Sequence, residues 1–264
     1  MIYIRNTPTE QDALPTILYT NTFEQGTMTA TTEAVGYPKE NILTENTNKA
    51  WRPTVIPARM TVDFGTAVSV DSFAIIGHNL GTGGNTVAVQ SSSDGITWTT
   101  RSTSMTPTDD TTILGLFTAL SERYWRLNIS AGAIPTISRF ILTTRFNLPA
   151  GVKAPYNPVW LSQSYELLVS NTLGGQFLGN KVFRQGGETA INLVALHRAY
   201  AESDLLPFRE HYNLGKAFIW AAGPSIFPND VGYVWRKENS IMKPTFDVDG
   251  LFMSVGMEVY AYGK

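Results

Sequence analysis

Cysteine is absent from the chain. That excludes disulfides, thiolate catalysis and every zinc site built on cysteine. Charge is scarce as well: 20 Lys and Arg stand against 22 Asp and Glu, a net charge of -2, and charged residues make up 16% of the chain. An average protein carries about 25%. Neither the basic surface of a nucleic-acid-coating protein nor an acidic solvating tail is available, so no sequence-specific nucleic acid partner is expected. Long apolar runs are missing. Residues 17–19 and 217–222 fall far short of the ~20 residues of a membrane span, so no membrane partner is expected. The N-terminus lacks the basic and apolar regions of a signal peptide, which predicts synthesis in a cytoplasm. His78, His197 and His211 stand too far apart for metal-ligand spacing.

What replaces charge is Thr, Ser, Asn and Gly, a mixture that favours strands and turns over helices. The 264 residues suffice for one large domain or two ordinary ones. Threonine divides them: 28 fall in residues 1–144 and 3 in residues 145–264. The change coincides with the Pro- and Gly-rich stretch 147–158, which reads as a linker. Before it, residues 59–64 alternate apolar and polar, 72–76 form an apolar run, and 86–100 read as a hairpin turning at Asp94-Gly95. Residues 124–129 and 136–144 supply two more strands. After it, residues 165–170, 190–196, 216–221 and 231–236 read as strands, and 251–262 alternate throughout. One helix is predicted from a cap at Ser203-Asp204, with Leu205, Phe208 and Tyr212 on one face. The expected fold is all-β: a sandwich, then a second sandwich carrying one short helix.

No catalytic set emerges. The chain has no Gly-x-Ser-x-Gly elbow, and no motif singles out Asp63, Asp71, Glu188 or Asp204 as an acid–base pair. Gly81-Thr82-Gly83-Gly84 lacks the rest of a phosphate loop and reads as a plain connection. Asp247-Val248-Asp249-Gly250 lacks the downstream ligands of a calcium loop and reads as a β-turn. No cofactor and no metal are expected. Trp51 and Trp98 lie beside turn-rich polar segments, where a ring can either stack on a sugar or plug the end of its own sandwich. Trp125, inside a strand, reads as core.

Several pieces then occur in a telling order. Met60-Thr61-Val62-Asp63-Phe64-Gly65 is followed by Val70-Asp71-Ser72-Phe73-Ala74-Ile75-Ile76-Gly77. Next come Val87 to Trp98, with Ser93-Asp94-Gly95 at its turn, and Arg123-Tyr124-Trp125-Arg126-Leu127. Together with Asn41-Ile42-Leu43 and Trp51, these make residues 33–146 resemble a discoidin (coagulation factor 5/8 C-type, galactose-binding-like) domain. The segment Gly77-His78-Asn79-Leu80 is similar to discoidin-type domains of bacteriophage tail proteins. In residues 159–264, a strand, the helix, residues 216–220 and the long terminal strand resemble distal tail and tail-tube domains.

The resemblance implies a jelly-roll sandwich, an arm at 1–32, and a ring-forming C-terminal domain in a structural protein of a phage tail tip. Expected partners are copies of itself (a hexamer ahead of a trimer), other tail proteins of the tube and hub, and host polysaccharide. The virion is the expected location. Glycan contacts would come from Trp51, His78, Asn79 and Trp98, and ring contacts from Leu205, Phe208, Tyr212, Tyr260 and Tyr262. Two other readings stand beside it, a non-catalytic carbohydrate-binding adhesion protein and a glycan depolymerase. Neither the tail-tip reading nor the adhesion reading involves turnover; the depolymerase alone does.

Overall fold

The computed structural model describes residues 2–4 and 9–262. The chain forms two compact units, Met1–Gly151 with Ala217–Tyr233, and Val152–Lys216 with Val234–Lys264. Both are built from β-sheet, with one helical segment in the second.

In the first unit the strands are β1 (Ile2–Ile4), β2 (Thr16–Leu18), β3 (Thr27–Ala30), β4 (Ala58–His78), β5 (Thr86–Ser92), β6 (Thr99–Thr100), β7 (Ile113–Ala131), β8 (Ile137–Thr143) and β9 (Phe146–Asn147). Hydrogen bonding runs β3-β4-β7-β5-β6, with β8 on β4 and β1 parallel to β7. The two apolar segments expected as separate strands at 59–64 and 72–76 are one strand. β4 and β7 pair antiparallel with register breaks between Asp63 and Val68 and between Val70 and Ser72. Such breaks bend a strand, so the two halves of each face one another across a shared core. Met60, Val62, Trp125 and Leu127 from one half share a core with Phe73, Ile75 and Ile113 from the other and with Phe140 of β8.

The second layer is buried on both faces, which is why residues 73–76 read as a continuous apolar run. Its outer side is closed by segments distant in sequence. β2 pairs with β9 and with β12 (Phe218–Ala221), and Ile17, Leu18, Phe218 and Trp220 are fully buried. Residues 1–32 therefore do not stand apart as an arm: residues 1 and 5–8 lie outside the described residues, and the rest pack into this unit. Phe23 joins the core, and the Asn21 carboxamide bonds the backbone of Phe140 and Leu142. The buried Asp12 carboxylate pairs with Arg145, which also reaches Asp71 at 3.4 Å. An ionised carboxylate stays buried only when so paired. Residues 217–233, expected within the second domain, complete the first unit.

In the second unit β11 (Phe177–His197) pairs antiparallel with β10 (Gln163–Asn171) and with β15 (Phe252–Ala261). β15 also pairs with β14 (Thr245–Phe246) and with the end of β13 (Val231–Arg236). The helix starts earlier than its predicted cap. Helical backbone begins at Arg198, capped by the His197 ring, passes through a π turn at Ala201–Leu205 and ends with Leu206–Asn213. Pro207 has no N–H to offer the carbonyl one turn back, and a wider turn fits at that point. Ser203 lies inside this segment and returns its hydroxyl to the Ala199 carbonyl at 2.9 Å.

Candidate functional site

The expected glycan residues are not brought together. Trp51 is 1% exposed, its backbone is bridged to Ile137, and its indole N–H donates to the Thr32 carbonyl at 3.2 Å. A ring with no free face cannot stack on a sugar, so Trp51 plugs the sandwich end. His78 is equally buried. Its Nδ1 accepts from the Leu80 N–H at 3.2 Å and its Nε2 meets the Thr111 carbonyl at 2.9 Å, an arrangement that fits the neutral Nε2–H tautomer. Asn79 uses its side-chain oxygen to receive the Thr136 N–H at 2.7 Å. These three side chains hold loops.

Trp98 is different. The Asp94-Gly95 connection is wider than a two-residue hairpin: β5 and β6 pair only at Gln90–Thr100 and Ser91–Thr99. Asp94 organises the six residues between, accepting from the Ile96 and Thr97 N–H groups at 2.8 Å each, and its carboxyl is held at about 2 chiefly by those bonds. The loop lays the half-exposed Trp98 ring along the outward face of the sheet, where the Arg126 guanidinium stacks over it at 3.9 Å.

That face has a plan visible in the strand register. With Met60, Val62, Trp125 and Leu127 inward, residues 59, 61, 126 and 128 point outward. Across the strands Thr61 sits beside Arg126, Arg126 beside Gln90, and Gln90 beside Thr100. Arg59 sits beside Asn128. The Arg126 Nε donates to the Gln90 carboxamide oxygen at 2.7 Å, and the Arg59 Nε to that of Asn128 at 3.2 Å. Partial burial, and after it the Arg59 charge, lower the Arg126 guanidinium to about 10, still protonated at neutral pH. The result is an open surface of an aromatic ring, guanidinium planes, amides and hydroxyls. Of these residues only Trp98 had been singled out from sequence. The alternation of 59–64, with Met60 and Val62 on one side, places Arg59 on the other; which outward residues share a face with Trp98 depends on strand order.

The motif pieces of the sequence find structural work. Asp63 and Arg123 form a two-point ion pair at 2.7 and 2.9 Å, and Asp63 also accepts from the Gly65 N–H, where φ is +72°. Residues 27–140 match the F5/8 type C domain family. The matched stretch runs from β3 into β8 and contains the whole outward face just described. No curated protein sequence matches the chain. Among solved structures, the chain is similar to CpGH89CBM32-5 from Clostridium perfringens, in complex with GalNAc-β-1,3-galactose (13% identity, 46% of this chain and 96% of that chain, TM-score 0.40). It is also similar to chitosan-binding module 1 of a chitosanase/glucanase from Paenibacillus sp. IK-5 (20% identity, 47% and 98%, TM-score 0.41). A GH29 fucosidase from Ruminococcus gnavus shares 18% identity over 48% of this chain and 27% of that chain, TM-score 0.42.

The carboxylates considered for acid–base chemistry are each engaged elsewhere: Asp63 with Arg123, Asp71 with Arg145, Glu188 with Lys237, and Asp204 with the Ser203 hydroxyl. Among the described residues, no group of three or more His, Asp or Glu is placed to hold a metal ion. The Gly81–Gly84 segment is a loop closed by the Gly84 N–H to Gly81 carbonyl bond at 3.0 Å. Asp247 to Gly250 form a turn between β14 and β15. In the second unit, three of the expected ring contacts are core residues. Leu205, Phe208 and Tyr212 are at most 1% exposed, because the apolar stripe of the helix packs on its own unit. Tyr260 on β15 and Tyr262 just after it are half-buried.

Proposed function

We propose that the chain is a non-catalytic carbohydrate-binding protein that holds glycan on the outward sheet face of its F5/8 type C domain. The observation that carries this reading is the half-exposed Trp98 ring, stacked on Arg126 and set among Gln90, Thr61 and Thr100. Sugars present apolar C–H faces to flat π surfaces and hydroxyls to amides and guanidinium groups, and this face offers both. Membership of residues 27–140 in the F5/8 type C family supports it. The test is a glycan array probed with the full chain and with Trp98→Ala. Retention of a glycan by the parent chain and at least a tenfold loss in the variant, with unchanged thermal unfolding, is expected. Undiminished retention by Trp98→Ala removes glycan binding from this face.

A second reading, assembly into a ring as a phage tail-tip subunit, draws on one observation in the second unit. The β10–β11 ribbon exposes large apolar residues on both strands, with Leu168 and Phe177 each 67% exposed. Contiguous apolar surface of this kind marks interaction sites. If self-association is its purpose, the mass in solution is a multiple of 29.1 kDa and Leu168→Lys returns it to that of one chain. A monomeric parent chain at micromolar concentration counts against this reading.

A further inference from the structure

Four arginines of the first unit have carboxylate partners: Arg101 with Glu122, Arg123 with Asp63, Arg139 with Glu24 and Arg145 with Asp12. Arg59 and Arg126 have none among the described residues, although they are diagonal neighbours on one sheet face. Each is held in the same way. Its Nε donates to a neutral carboxamide, Asn128 for one and Gln90 for the other, and both terminal nitrogens remain uncommitted among the described residues. The Trp98 ring fixes the plane of the Arg126 guanidinium. The Asn128 amide nitrogen and the Thr61 hydroxyl beside them likewise have no hydrogen-bond partner among the described residues.

Like charges set side by side on a sheet cost stability. A chain with so few charged residues nevertheless places two cations together and orients both forks with neutral groups. A carboxamide fixes a guanidinium without neutralising it, so the positive charge stays available to something outside the chain. Guanidinium forks match planar carboxylates in a two-point geometry that an ammonium cannot reproduce. The neighbouring amide and hydroxyl suit the ring hydroxyls of the same ligand.

We infer that Arg59 and Arg126 together bind the carboxylate of a uronic acid residue, so that the glycan taken by this face is an acidic polysaccharide. This rests on the glycan-binding reading and specifies its ligand. Trp98 then supports the sugar through its contact with Arg126, while Thr61 and Asn128 receive hydroxyls.

The test titrates the full chain with polygalacturonate and with the same polymer after reduction of its carboxyl groups to neutral galactan. Binding to polygalacturonate is expected to weaken about tenfold or more on reduction, and to fall as salt rises. Arg59→Gln is expected to lose about tenfold toward the acidic polymer only, and Arg59→Lys, which keeps the charge without the fork, to lose less. Arg59 is exposed, and both variants should unfold at or above the parent temperature once the like charges are relieved or unchanged. Equal affinity for the two polymers, or an Arg59→Gln chain that binds polygalacturonate as tightly as the parent, overturns the inference while leaving glycan binding in place. Arg59-dependent binding of dextran sulfate without binding of polygalacturonate assigns the pair to sulfate and overturns the uronate. Failure to retain any glycan sinks the parent reading and the inference with it.

Discussion

Trp51 and Trp98 both sit beside polar, turn-rich segments, and nothing local distinguishes them. Residue 51 is drawn inward because its backbone bridges to Ile137 and its N–H finds the Thr32 carbonyl, contacts made with chain far away in sequence. Trp98 has a local partner, the Gly95 carbonyl at 3.2 Å, which leaves its ring on the surface. Trp51→Ala is therefore expected to cost about 3–5 kcal/mol of unfolding free energy, measured by denaturant titration, and Trp98→Ala within about 1 kcal/mol. Asp63 supplies a prediction in pH. Its carboxyl is held at about 2, against an ordinary 3.8, first by the Arg123 hydrogen bond and then by the Gly65 N–H. A folded value depressed in this way stabilises the fold above about pH 4, and that contribution disappears as pH falls through about 2. The gap in unfolding temperature between the parent and Arg123→Gln should narrow across that window. A gap independent of pH between 5 and 2 would deny the pair this role.

At the level of elements, alternation and turn chemistry were good guides to what faces inward. The terminal strand Phe252–Ala261 buries every second residue, as its pattern says, and Leu205, Phe208 and Tyr212 share the buried stripe that their spacing indicates. Length was harder to read. β4 looks like two strands, because its register breaks place exposed residues in mid-strand. The first half of β7 is not among the strands expected from sequence; Gly115 lies within it, and the reason for a glycine there lies in a neighbouring strand. Gly115 is opposite Phe73, and a Cβ at that position would come within 2.0 Å of the Phe73 ring. Gly115→Ala is expected to destabilise by about 1–3 kcal/mol, read from the denaturation midpoint, and Phe73→Leu in the same chain should recover part of the loss. The face bearing Arg59, Arg126 and Trp98 lay beyond the sequence for a related cause. Alternation tells which side of a strand a residue takes, and the hairpin joins β5 to β6, but β4, β7 and β5 become neighbours only through long-range pairing.

Over the whole molecule, the first unit is discontinuous: residues 217–233 return to it after the chain has built most of the second. Composition hid this, since the loss of threonine after residue 144 suggests two successive blocks. The returning segment matters because Phe218, Ile219, Trp220 and Ala221 are fully buried, and β12 hydrogen-bonds β2. A chain ended at Gly151 is expected to bind a hydrophobic dye and to unfold at a lower temperature than the full chain's first transition. Undiminished stability of that truncated chain would show the return segment to be dispensable.

The same discontinuity sets an order of events during synthesis. A ribosome emits residues 1–151 early, yet β12, which pairs with β2 as β9 does, emerges only after about 65 further residues, those numbered 152–216, have left the exit tunnel. Until then the nascent chain carries an unfinished apolar side. The first unit is thus among the first parts translated and among the last completed, and a nick in residues 152–216 after folding would leave two fragments still joined by the β2–β12 pairing.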